Sequence, residues 1–71
     1  MEKRHPAITA ILKFFDYGHL PEPLQSVSRP FGELAYETAQ RSNNAETTVA
    51  LRKLLEAKDA AVRAALSEGN N

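Results

Sequence analysis

The stretch that decides the fold is "AETTVALRKLLEAKDAAVRAAL", Ala45 to Leu66. It holds neither glycine nor proline and is dominated by Ala, Leu, Glu, Lys and Arg, the strongest helix formers. About 22 residues at 1.5 Å each make a helix about 33 Å long. Leu51, Leu55, Val62 and Ala65 mark one face of it, and Leu54, Ala57, Ala61 and Ala64 broaden that face. Asn43 is expected to cap the start, with Glu46 three residues on in a capping-box arrangement. Gly69 is a natural stop. Lys58 falls where the seam calls for an apolar residue. It can keep its stem in the seam and its ammonium at the edge, or reach a ligand or partner.

Working back from this helix, "QRSNN" (Gln40 to Asn44) is a polar break. Before it, Leu24, Val27, Phe31, Leu34 and Thr38 recur at steps of three and four, with Ala35 beside them, as on one face of a second helix. Pro30 interrupts that run. Either the helix bends there, or a short turn ends near Val27 and a new helix starts with Ser28 as its cap. The unbroken spacing favours a near-continuous rod. The short connection makes the two long helices antiparallel neighbours. Further back, "PAITAILKFF" (Pro6 to Phe15) reads as a short helix opened by proline, with Ile8, Ile11, Leu12 and Phe15 at helical spacing. Its β-branched residues leave a strand as the lesser alternative.

The expected fold is therefore all-α: one domain over 1–71, an antiparallel helical hairpin with a short N-terminal helical segment. Residues 1–5 and 68–71 are expected to fray. A chain of 71 residues buries only about 60% of the surface its unfolded form exposes and is marginal alone. It has no cysteine, and two scattered histidines, His5 and His19, cannot build a metal cage. Self-association into a homo-oligomer is the remaining staple. Nine basic and nine acidic residues give zero formal charge, which argues against a general DNA binder. No apolar run approaches the roughly 20 residues that span a bilayer, and the N-terminus lacks the small-residue site of a secretion signal. Absence of cysteine fits a cytoplasmic protein.

Motifs for catalysis are missing: no phosphate loop, no nucleophile elbow, no paired metal-binding histidines. The expectation is no enzyme, no cofactor and no metal. Glu33 and Glu37, one turn apart, read as a solvated face. Arg52, Glu56, Asp59 and Arg63 read as intrahelical pairs, or else Arg52 is free to meet an anion.

The functional signal is "FFDYGHLP", Phe14 to Pro21, which gathers three of the five aromatic rings where regular structure stops. Phe14 and Phe15 close an apolar run and are expected to pack. Tyr17, between Asp16 and Gly18, sits in a turn, where its ring and hydroxyl can meet a ligand; nucleobases stack on such rings. Taken alone, Tyr17 also reads as a structural tyrosine, and His19 as a turn or capping residue.

"FFDYGHLPEPLQSVSRPFGELA" followed by "TTVALRKLLEAKDAAVRAAL" resembles the hairpin proteins of tailed bacteriophages that include the anti-CBASS cyclic-nucleotide sponge and the related anti-Thoeris hairpin. Phe15, Tyr17, His19, Glu33–Leu34–Ala35, Thr48, Ala50–Leu51, Lys53–Leu54, Glu56–Ala57 and Ala60–Ala61 match the pattern, over residues 14–66. The resemblance implies a compact homo-oligomer, typically a hexamer, in the cytoplasm of the infected host. It would hold cyclic di- or trinucleotide immune signals without cleaving them and so block host defence. The family tyrosine that stacks on a base carries over to Tyr17. The family lysine that meets phosphate has no counterpart; Arg29, beside Pro30, is the basic residue near that place. His19, Thr48 and Arg52 complete the candidate ligand-binding set. The alternative is a phage helical-hairpin module that binds a protein and no nucleotide.

Overall fold

The computed structural model describes residues 4–69 and is helical throughout. Helix α1 (Pro6–Leu12) runs into a 3-10 turn, Lys13–Phe15; α2 spans Glu22–Arg41 and α3 Ala45–Gly69. No strand forms among the described residues, so the strand alternative for Pro6–Phe15 falls. The long helices α2 and α3 form the antiparallel hairpin, and α1 packs against both.

Each helix start is set by local chemistry. Pro6 opens α1, and His5 caps it by accepting the Ala7 N–H on Nδ1 at 3.1 Å. Pro23 lies in the first turn of α2. For α3 the cap is Asn44, not Asn43. Asn44 Oδ1 accepts the Thr47 N–H at 3.0 Å, and Thr47 Oγ1 accepts the Asn44 N–H at 3.3 Å. This is a reciprocal capping box closed by Thr47 rather than Glu46. Asn43 instead accepts the His5 N–H at 2.8 Å, which straps the N-terminal segment to the hairpin turn. His5 is therefore tied down rather than frayed, and α3 stays helical to Gly69; residues 1–3 and 70–71 lie outside the described residues.

Helix α2 passes through Pro30 as one rod. Proline there removes an N–H whose acceptor would be the Ser26 carbonyl. Ser26 and Pro30 are both exposed, so that carbonyl is open to solvent and the break is tolerated.

The core is Ile8, Leu12, Phe15, Ala35, Ala39 and Leu51, with Ile11, Phe31, Leu54 and Leu55 packed partly against it. The buried residues of α2 are Ser28, Gly32, Ala35 and Ala39. The stripe expected inside is thus displaced. Leu34 is 50% exposed, and Leu24, Val27, Phe31 and Thr38 are only half-buried. The reason is steric: α1 and the 3-10 turn settle on the flank of α2 whose side chains are small, where backbones can approach. At Gly32 an added Cβ would stand 3.2 Å from the Phe15 carbonyl oxygen. That contact explains a glycine in mid-helix, which otherwise costs about 1 kcal/mol relative to alanine.

Two further expectations are corrected. Phe14 is 65% exposed; only Phe15, at 1%, is core. A helical turn cannot aim adjacent side chains at one core. The strip on α3 does not pair internally: among the described residues the ion pairs are Arg41–Glu37 and Lys58–Asp59. Lys58 keeps its stem in the seam, 14% exposed, with Nζ 2.8 Å from Asp59.

Ser28 is buried, and its hydroxyl has no hydrogen-bond partner. An unsatisfied buried hydroxyl costs about 1–3 kcal/mol, and alanine is the better helix former. Ser28→Ala is therefore expected to stabilise the fold by about 1 kcal/mol or more, a rise of about 4–8 °C per kcal/mol in a thermal melt. A lower melting temperature would mean that the hydroxyl is satisfied.

Candidate functional site

Phe15 is locked in the core, so the chain leaving it is fixed against α2 at Gly32. It then turns tightly: the Leu20 N–H donates to the Tyr17 carbonyl at 3.0 Å. Gln25, in the second turn of α2, reaches back and donates from Nε2 to the carbonyls of Leu20 (2.8 Å) and Gly18 (3.4 Å). The aromatic turn is thus clamped at both ends. Gly18 does not use the left-handed backbone region, and a Cβ there would meet nothing within 4 Å.

Tyr17 is half-buried, with Cε2 and Cδ2 near Gly32. The Arg29 guanidinium carbon lies 5.7 Å from the ring centroid, within cation–π range. Tyr17 and Arg29, paired by sequence reasoning, are therefore brought together. An open groove of about 900 Å³ runs from this turn along α2, lined by Tyr17, His19, Gly32 and Tyr36 among others. His19 is exposed at its mouth.

The charged residues lining the groove are Asp16, Glu33 and Glu37, and no lysine or arginine lines it. Carboxylates there disfavour an anion, so phosphate must be met by Arg29 or from outside this groove. Sequence reasoning missed Tyr36 as a groove residue and read Glu33 and Glu37 only as a solvated face. The signal was present in the helical spacing of Gly32, Glu33, Tyr36, Glu37 and Gln40, which share one flank of α2.

Thr48 and Arg52 lie elsewhere. They line a smaller depression of about 300 Å³ with His5, Asn44, Ala45 and Val49, beside the start of α3. The two hollows share no residue. Within one chain, the five candidate residues divide into Tyr17, His19 and Arg29 on one side, and Thr48 and Arg52 on the other. Arg52 is exposed and makes no ion pair among the described residues.

No helix among the described residues is long and apolar enough to cross a membrane. Compared with known protein families, curated proteins and solved structures, the chain finds no match.

Proposed function

We propose that the protein is a non-catalytic sponge: a homo-oligomer that sequesters a cyclic di- or trinucleotide immune signal in the host cytoplasm and so blocks an anti-phage defence. The observation that carries this reading is the clamped Tyr17, which lines a ligand-sized groove with the Arg29 guanidinium 5.7 Å from its ring. Tyr17 supplies a stacking surface and Arg29 a phosphate donor. The groove's own charges are acidic, so further cations come from a neighbouring copy, with Arg52 and Thr48 as candidates.

A second reading keeps the fold and drops the nucleotide. Asp16, Glu33 and Glu37 line the groove without a cation among them. That favours a hairpin that docks a basic segment of another protein.

Tyr17→Ala decides between them. Under the sponge reading it loses about 1–3 kcal/mol of affinity for a cyclic nucleotide, about 10- to 100-fold, while the melting temperature moves little. Arg29→Ala weakens binding and flattens its salt dependence. The measurement is calorimetric titration with cyclic di- and trinucleotides beside a thermal melt. A destabilised Tyr17→Ala protein with unchanged affinity, or a wild-type protein that binds none of them, sinks the sponge.

A further inference from the structure

The hairpin has two broad sides, and only one is covered. Counting 100° per residue, Gly32 and Ala39 lie to one side of Ala35, facing α1, while Val27, Leu34 and Thr38 lie to the other. On α3 the same count puts Thr48 and Leu55 toward α1 and places Leu54, Ala57 and Ala61 on the far side. The uncovered side is thus apolar on both helices. Leu34 is 50% exposed and Ala57 is exposed, while Val27, Phe31, Leu54 and Ala61 are half-buried. The charged residues nearest to it, Arg41 on α2 and Lys53 on α3, sit at its rim.

We infer that this side is the surface by which two copies of the chain associate, through a two-fold axis running along the hairpin. The inference rests on the self-association in the proposed function but not on any nucleotide. Two observations commit it to a second copy. The first is area. The chain exposes 5115 Å². A folded monomer of 7.9 kDa is expected to expose about 4,400 Å². The excess, roughly 700 Å², is close to the about 800 Å² that each partner buries in a standard interface. The second is size complementarity. The bulky residues, Val27, Phe31 and Leu34, are on α2, and the alanines, Ala50, Ala57 and Ala61, are on α3. An axis along the hairpin lays α2 of each copy over α3 of the other, so bulk meets alanine twice in one interface. An axis across the hairpin would stack bulk on bulk and leave alanine facing alanine.

Leu34→Lys tests it, because Leu34 is exposed in the single chain and the fold does not need it. The control is Leu66→Lys, also 50% exposed but on the other side of α3. Light scattering after size exclusion is expected to give a multimer for the wild type and for Leu66→Lys. Leu34→Lys should sediment in smaller particles, down to the 7.9 kDa chain, with its helical circular dichroism intact. Because the chain has no cysteine, Leu34→Cys mixed with Ala50→Cys should then form a disulfide-linked dimer that neither forms alone. A multimer whose size survives Leu34→Lys overturns this surface while leaving the sponge standing. A wild type that stays monomeric overturns both, and a multimer that binds no nucleotide overturns the sponge alone.

Discussion

Leu51→Asp is expected to unfold the protein at room temperature. Leu51 is fully buried, in one cluster with Ile8, Leu12, Phe15, Ala35 and Ala39. Shortening it to alanine would already cost about 2–5 kcal/mol. A carboxylate adds the loss of its hydration, and the cluster offers it no cation or donor side chain. Domains are stable by only about 5–15 kcal/mol, and one this short sits at the low end. Far-UV circular dichroism at 25 °C should show the helical signal largely gone. A cooperative melt near the wild-type temperature would mean that α3 presents another face to α1 and α2.

The second large effect separates adjacent phenylalanines. Phe15→Ala should cost about 3–5 kcal/mol, because the ring is enclosed and the cavity beneath α2 cannot close around the fixed turn. Phe14→Ala should stay within about 0.5 kcal/mol, as for surface substitutions generally. Urea titration of both variants reads the difference. Equal losses would show that both rings are buried in solution, with Phe14 covered by something outside the single chain.

The elements were legible because their causes are local. The glycine- and proline-free run from Ala45 set α3, and the four-and-three spacing carried α2 through Pro30. What sequence did not reveal was which flank of α2 would be covered. Leu24, Val27, Phe31, Leu34 and Thr38 make the stronger apolar stripe, yet α1 chose the small side chains of Ser28, Gly32, Ala35 and Ala39. That choice depends on how closely backbones can approach, which hydrophobic periodicity does not encode. The cap shifted from Asn43 to Asn44 for a similar reason. Either asparagine can cap, and Asn43 is engaged by His5 from 38 residues away.

At the site, the pairing of Tyr17 with Arg29 was legible because Phe15, the turn and α2 are consecutive in the chain. The acidic lining was not, since Asp16 meets Glu33 and Glu37 only once the turn folds onto α2.

The strap between His5 and Asn43 also fixes where the molecule can be handled. Residue 5 is held beside the hairpin turn, where α3 begins. Residue 69 lies at the far end of that helix, 25 residues or about 37 Å away, in a molecule 47 Å long. The two ends of the described chain are therefore opposite poles of a rod. Fluorophores attached at the two ends would sit far apart and report on different neighbours. A tandem fusion of two side-by-side copies in the same orientation would need a linker of at least about 11 extended residues to return from one pole to the other.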